Sequence, residues 1–209
     1  MKALEQEVLK KIAKKSLFVK LVNTERNESL VEQSISKEFL DLSAVVRVVL
    51  KMDKEGMVSM ALSKEDAEIL GMTEEEIYAV ALKNKLRLFP PKLMNLEGYV
   101  EMSIGAKLLF VEDEVTTYIL TNQKEVDGAF YLMSQELVGA IAEMLEDDLY
   151  ILPSSVNEVL LVRASEVREG VDGLKAMVRD VNETIVAEKE ILSYSVYHYD
   201  KEHGITIAA

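Results

Sequence analysis

The sequence predicts an α+β fold, with a mainly antiparallel sheet built of β-hairpins and with helices packed chiefly on one face. The densest apolar segment, residues 147–163, contains two short runs that are apolar on both alternating faces, as in strands that are covered on both sides. A pattern of hairpin followed by helix recurs over residues 44–86, 115–145 and 149–183, without sequence identity between these units. Hairpins outnumber plausible parallel crossovers, and this favours the α+β class.

The composition is typical of a compact globular protein. Of the 209 residues, 49% are hydrophobic, while only 9 are glycine and 3 are proline. Cysteine is absent, and this excludes disulfides, thiolate metal sites and a cysteine nucleophile. No apolar run approaches the roughly 18 residues of a membrane span. These features predict a soluble cytoplasmic protein without a membrane span.

The charge of the chain is distributed unevenly. The formal net charge is −13, but residues 1–20 sum to +4 and the rest of the chain to −17. An acidic body repels phosphate backbones, so direct nucleic-acid binding is disfavoured except through the basic segment. Residues 2–15 predict a helix that carries its basic residues on one side, namely Lys10, Lys11, Lys14 and Lys15. These lysines either bind a partner or dock on the acidic body, and the second alternative is favoured.

In the first half of the chain, the next predicted elements are strands. Residues 17–22 predict a short strand, and the β-branched run over 39–52 predicts a long one. Residues 53–56 close a hairpin, with Gly56 suited to a positive φ, and residues 57–62 form the returning strand.

Two helices with well-marked ends follow this hairpin. Ser63 caps a short helix that stops at Gly71, and Thr73 with Glu76 forms a capping box for a longer one. That helix ends before the sequence Phe89-Pro90-Pro91, because a residue that precedes proline avoids the α region. We expect a basic helix over 1–16 and one α+β domain over 17–209. If the domain divides into two subdomains, they meet near residues 89–105.

The second half predicts further hairpins, separated by two helices. Residues 92–105 have no clear period and are expected to be irregular. A serine-rich turn, residues 153–157, separates the two central strands. The remaining predicted strands cover 107–111, 115–120, 129–133, 149–152, 159–162, 194–199 and 205–207, and the predicted helices cover 134–145 and 168–183.

The chain contains few signals for chemistry. It has no phosphate-binding glycine loop and no paired-histidine metal motif, so no cofactor is expected. His198 and His203 lie five residues apart across a predicted hairpin turn and are weak candidates for a metal site, because no third ligand is evident. Ser154 and Ser155, with His198 as base, are weak candidates for a catalytic site. A structural role in the turn explains both serines without catalysis.

Several stretches of the chain resemble an uncharacterised bacterial family of unknown function, associated with gut anaerobes and mobile elements. They keep their order from about residue 17 onward: LVNTERNESLVEQ, FLDLSAVV, MTEEEIYAVALKNKLRLFPP, YILTN, DDLYILPSSVNEVLLV and VNETIVAEKEILSYSVYHYD. Members of the family usually carry histidine at the position of Asn157, and they tend to have a longer N-terminal region. The resemblance implies no activity, substrate or cofactor.

These observations favour a non-catalytic cytoplasmic protein-interaction module, accessory to a mobile element, that binds a protein partner. Exposed strand edges would also allow two copies of the chain to pair as a homo-oligomer, which the sequence leaves as an open alternative. One alternative is an inhibitor whose acidic surface imitates nucleic acid and occupies a basic protein. The other alternative is a serine-dependent hydrolase that uses the turn at residues 153–158.

Overall fold

The computed structural model describes residues 10–11, 14–53, 56–99 and 115–209. The chain divides into two compact units, of which the first ends at Pro90 and the second begins at Pro91. Every strand pairing among the described residues is antiparallel, and helices accompany the sheet of each unit. The predicted α+β class with antiparallel sheets is therefore confirmed.

Unit 1 contains a four-stranded sheet centred on a long strand. Its strands are β1 (Leu17–Asn23), β2 (Ser36–Phe39), β3 (Leu42–Met52) and β4 (Met57–Ala61). β3 pairs with β1 along one side, and with β2 and then β4 along the other. The side chains of β1 and of the first half of β3 are almost entirely buried, which places the core of the unit there.

After β1, unit 1 contains the α-helices α1 (Glu28–Gln33), α2 (Lys64–Leu70) and α3 (Glu74–Leu88). Ser63 and Thr73 each form a complete capping box, and Gly71 ends α2 in the left-handed conformation, as the sequence predicts. α3 packs on β1, and beyond its end Phe89 lies 5.1 Å from Phe18, centroid to centroid.

Unit 2 contains a six-stranded sheet in the order β10-β9-β7-β8-β6-β5. The two central strands, β7 (Leu149–Leu152) and β8 (Val159–Arg163), form the buried hairpin that their apolar runs predict. The other four strands are β5 (Pro91–Asn95), β6 (Thr117–Asn122), β9 (Tyr197–Asp200) and β10 (Gly204–Ile207). The predicted helices correspond to α4 (Gln135–Leu145) and α5 (Gly170–Thr184).

In unit 1, one predicted strand differs from the structure, one helix was not predicted, and one predicted helix lies mostly outside the described residues. The predicted strand over 39–52 is divided between β2 and β3, because the chain reverses at Leu40 and Asp41, where Leu40 has a φ of 55°. The polar segment before β2 forms the short helix α1, which was not predicted. Residues 10, 11 and 14–16 are helical, whereas most of the predicted helix over 2–15 lies outside the described residues.

Three predictions for unit 2 also differ. Residues 91–95 form the edge strand β5, because pairing with β6 stabilises a segment that has no clear period of its own. The predicted strand over 129–133 is part of a buried 3-10 helix, Gly128–Met133, whose first amides bond to the turn after β7. β9 begins at Tyr197, three residues later than predicted. The predicted strand over 107–111 lies outside the described residues.

Within the described part of the chain, none of the helices combines the length and the apolar character that crossing a membrane requires.

Candidate functional site

The turn between β7 and β8 is held by hydrogen bonds among its own side chains. The hydroxyl of Ser155 donates to Oε1 of Glu158 at 2.7 Å, and the hydroxyl of Ser154 donates to the same oxygen at 3.3 Å. The backbone N–H of Asn157 donates to the Ser155 hydroxyl oxygen at 3.0 Å. The two serines therefore fix the orientation of the Glu158 carboxylate.

A second loop, residues 122–128 after β6, is attached to this turn mainly through Asn157. The carbonyl oxygen of Asn157 accepts from the Thr121 hydroxyl at 2.7 Å and from the Gly128 N–H at 3.0 Å. The Asn157 side-chain oxygen accepts from the Asp127 N–H at 3.1 Å. A β-carbon at Gly128 would lie 2.4 Å from the Asn157 carbonyl oxygen, so this close approach requires glycine.

Loop and turn border a cavity of about 360 Å³, which we call the unit 2 cleft. Its apolar lining comes from β5, β6, β8 and the segment after β5, namely Met94, Leu96, Ile119 and Leu160. Its polar lining comes largely from the loop and the turn, namely Tyr99, Thr121, Glu125, Ser154, Asn157 and Glu158. A pocket in which convergent polar groups face an apolar surface is a usual form of a ligand site.

The two carboxylates of the cleft differ in their partners. Glu125 pairs with Lys92 at 2.8 Å, and it adopts a positive φ of 55°, an uncommon conformation for a residue with a side chain. Glu158 accepts only from the two serines, and among the described residues no cation pairs with it. The cleft therefore contains one carboxylate that is paired with a lysine and one that has no cation partner among the described residues.

The two histidines contact groups other than the serines. The ring of His198 lies 5.1 Å from that of Tyr150, its neighbour on β7, and its Nδ1 lies 3.6 Å from an Asp200 oxygen. His203 is exposed, with its Nδ1 3.0 Å from Asp200 Oδ1. Hydrogen bonds from the His203 backbone N–H and ring lower the pKa of Asp200. The structure therefore does not bring Ser154 or Ser155 together with His198.

The same contacts bear on the predicted metal candidates. His198 and His203 share Asp200 as a neighbour: Nδ1 of His203 lies 3.0 and 3.1 Å from the two oxygens of its carboxylate, and Nδ1 of His198 lies 3.6 Å from one of them. In the parts of the chain that the structure describes, no three side chains of His, Cys, Asp or Glu are grouped so that they could hold a metal ion.

The predicted basic residues lie on unit 1. The carbonyl oxygen of Lys14 accepts from the Asn84 side chain at 2.6 Å, and that of Lys15 accepts from Arg87 at 2.5 Å. Lys10 lies beside Gly71, where an added β-carbon would be 3.4 Å from the lysine Nζ, and Lys11 is exposed. A groove of about 730 Å³ between α2 and α3 contains Gly71, and most of its side chains are acidic, namely Glu65, Glu68, Glu74, Glu75 and Glu76.

Unit 1 also has an apolar projection that the sequence analysis did not identify. The pairing of β1 with β3 ends at Val48, so the rest of β3 pairs only with β4 among the described residues. We call this hairpin, residues 47–53 and 56–61, the β3–β4 arm. Leu50, Val58 and Met60 are 59%, 55% and 49% exposed on it. The alternation of Val58 and Met60 with Ser59 was visible in the sequence, but whether that face is covered is decided by the tertiary structure.

The comparisons with known proteins identify the family of the chain. Neither the comparison with curated proteins nor that with solved structures gives a match. A family model does match, and it covers residues 4–201, nearly the whole chain. The chain therefore belongs to the family described as "Family of unknown function (DUF5688)", and the family resemblance seen in the sequence is confirmed.

Proposed function

We propose that the protein is a non-catalytic protein-interaction module whose β3–β4 arm binds an extended segment of a partner protein. The observation that supports this proposal is the outer edge of β4, which pairs with β3 on one side only among the described residues. A strand edge presents a row of backbone donors and acceptors, and such a row binds an extended chain by adding a strand to the sheet.

The side chains of the arm indicate the chemistry of the partner. Val58 and Met60 lie on one face of β4, and Val48 lies opposite Met60 on β3. Three large apolar side chains of the arm are about half exposed or more, so a partner that covers them would remove apolar surface from water and gain binding free energy. The partner segment is therefore extended, with apolar residues at alternate positions and without proline at the paired amides.

The edge can be tested with a phage-displayed library of random twelve-residue peptides, selected on the purified protein. Val58→Lys combined with Met60→Lys removes the apolar contacts and places charges beside the edge, so it should weaken the selected peptides at least tenfold. Met144→Lys combined with Met177→Lys is the matched control, because these methionines are 61% and 54% exposed on the helices of unit 2. Circular dichroism checks that both variants are folded.

Hydrogen exchange locates the peptide. Binding at the edge slows the exchange of β4 amides, and peptides that bind the arm variant as tightly as the wild type would contradict the proposal. A wild-type dimer that dissociates in the arm variant would also contradict it, because the occupant of the edge would then be a second copy of this chain. Light scattering measures that outcome.

The acidic groove between α2 and α3 supports a second candidate function, the occupation of a basic protein by an acidic surface. Five glutamates line this groove. Binding through these charges should collapse between low and high salt, because salt screens exposed charges, whereas strand addition should persist. A pull-down from the host lysate at two salt concentrations distinguishes the two modes.

We also propose a cytoplasmic location and a role accessory to a mobile element, both on the basis of the composition and the family resemblance. The hydrolase alternative named His198 as the base, and the hydrogen bonds of Ser154 and Ser155 go to Glu158 instead.

A further inference from the structure

We infer that the unit 2 cleft is a binding site for an alkylammonium group, that is, a positively charged primary amine on an apolar stem. The inference concerns a different unit from the β3–β4 arm and does not depend on the proposed strand addition. Its starting point is the cavity itself, because about 360 Å³ lies within the range of small-ligand pockets.

The lining of the cleft separates into two parts with different chemistry. Met94, Leu96, Ile119 and Leu160 offer an apolar surface to the stem of a ligand. Burial of that stem contributes about 0.8 kcal/mol for each methylene removed from water. This surface selects an aliphatic group but does not distinguish an amine from an alcohol or an acid.

Glu158 supplies the charge selection. Its side chain is half-buried, two serine hydroxyls hold its Oε1, and no protein cation among the described residues neutralises it. The other carboxylate of the cleft, Glu125, is already paired with Lys92. A cationic ligand would gain a charge-assisted hydrogen bond to Glu158, whereas an anion would be repelled and a neutral group would leave the carboxylate without a counterion.

The same chemistry is present in a small free amine and in a lysine side chain of a peptide. The probes are therefore n-hexylammonium, its neutral analogue hexanol, its anionic analogue hexanoate, and Nα-acetyl-lysine methylamide. Each is titrated into the ¹⁵N-labelled full-length protein, and dissociation constants are taken from chemical-shift changes. We expect hexylammonium to bind at least tenfold more tightly than hexanol, and hexanoate to bind more weakly than both.

Glu158→Gln tests the assignment, because the amide oxygen still accepts from the serines but the charge is lost. We expect this variant to bind hexylammonium no more tightly than hexanol. Glu136→Gln, at an exposed position on α4, should bind as the wild type does. Glu158→Asp retains the charge and should retain the preference for the ammonium.

The probes also separate the two sources of the amine. Binding of acetyl-lysine methylamide together with hexylammonium supports a peptide-borne lysine, and binding of hexylammonium alone supports a free amine. Equal affinities for hexylammonium and hexanol, or an unchanged preference in Glu158→Gln, would overturn the inference.

Discussion

Single residues of unit 1 illustrate how burial changes the chemistry of a side chain. Lys85 lies on α3 and is only 5% exposed, although lysine is usually at the surface. Burial lowers the pKa of Lys85 well below its ordinary value, because desolvation disfavours the charged ammonium. The sequence does not indicate this, since Lys83 and Lys85 lie two positions apart on one helix and differ only in the face that they occupy.

This burial predicts a pH dependence of stability. The unfolded chain retains the Lys85 proton up to a higher pH than the folded chain, so the unfolded state binds more protons and stability rises with pH in that interval. For one proton, the free energy of unfolding rises by at most about 1.4 kcal/mol per pH unit. Urea unfolding of the wild type and of Lys85→Met between about pH 7 and pH 10 should show this rise in the wild type only.

Lys83→Met is the matched control, because Lys83 is exposed on the same helix. The free energy of unfolding of Lys83→Met should rise with pH as that of the wild type does. An equal rise in Lys85→Met would show that Lys85 does not change its protonation between the folded and unfolded states.

The residues of the unit 2 cleft show how far a site can be predicted from residue types. Pro153, the two serines and Asn157 predict a turn, and the turn is present. The role of Asn157 as the residue that joins this turn to the loop 122–128 was not predictable, because its three partners lie 29 to 36 positions earlier in the chain. Glu158 was likewise one carboxylate among many until its serine partners and the cavity were known.

At the scale of elements, local signals predicted helix ends better than strand pairing. The capping boxes of α2 and α3 depend on residues three positions apart, so the sequence contains both partners. β5 depends on pairing with β6, about 26 residues later, and has no comparable local signal. Residues 129–133 have a local signal that is misleading. Their apolar run predicts a strand, but they form a 3-10 helix, and the Ala129 N–H donates to the carbonyl of Val156 in the turn after β7.

The cap of α3 gives a prediction at this scale. Thr73→Ala removes the side-chain acceptor of the Glu76 N–H, a hydrogen bond of 3.2 Å, and should lower the free energy of unfolding by about 1 kcal/mol. Urea denaturation measures the change. Thr184→Ala, at the C-terminal end of α5, serves as the control. The Thr184 hydroxyl donates to the Asp180 carbonyl, and its removal should lower the free energy of unfolding clearly less. Equal decreases in the free energy of unfolding for the two variants would mean that the Thr73 cap does not stabilise the helix more than an ordinary threonine hydrogen bond does.

The division into two compact units is the main feature of the whole molecule. Each unit has its own sheet. All six strands of the unit 2 sheet come from the sequence after Pro90. A unit with its own core and sheet has the properties of an independently folding domain.

We therefore predict that a fragment of residues 91–209 folds without the rest of the chain. The expected result is a cooperative urea transition and dispersed amide resonances that overlay with those of the same residues in the full-length protein. A fragment with the narrow dispersion of an unfolded chain would show that unit 2 requires the first 90 residues.

The amino-acid sequence by itself determined the α+β class, the helix ends and the central hairpin β7–β8, because these depend on side-chain alternation and on caps within a few residues of one another. Only the tertiary structure decided that the strands form two sheets, that the described residues leave Leu50, Val58 and Met60 of the β3–β4 arm exposed, and that Glu158 lines a cavity without a cation partner among them. The physical reason is that pairing, burial and charge compensation join residues far apart in the chain, and alternation within a strand does not specify which partner covers it.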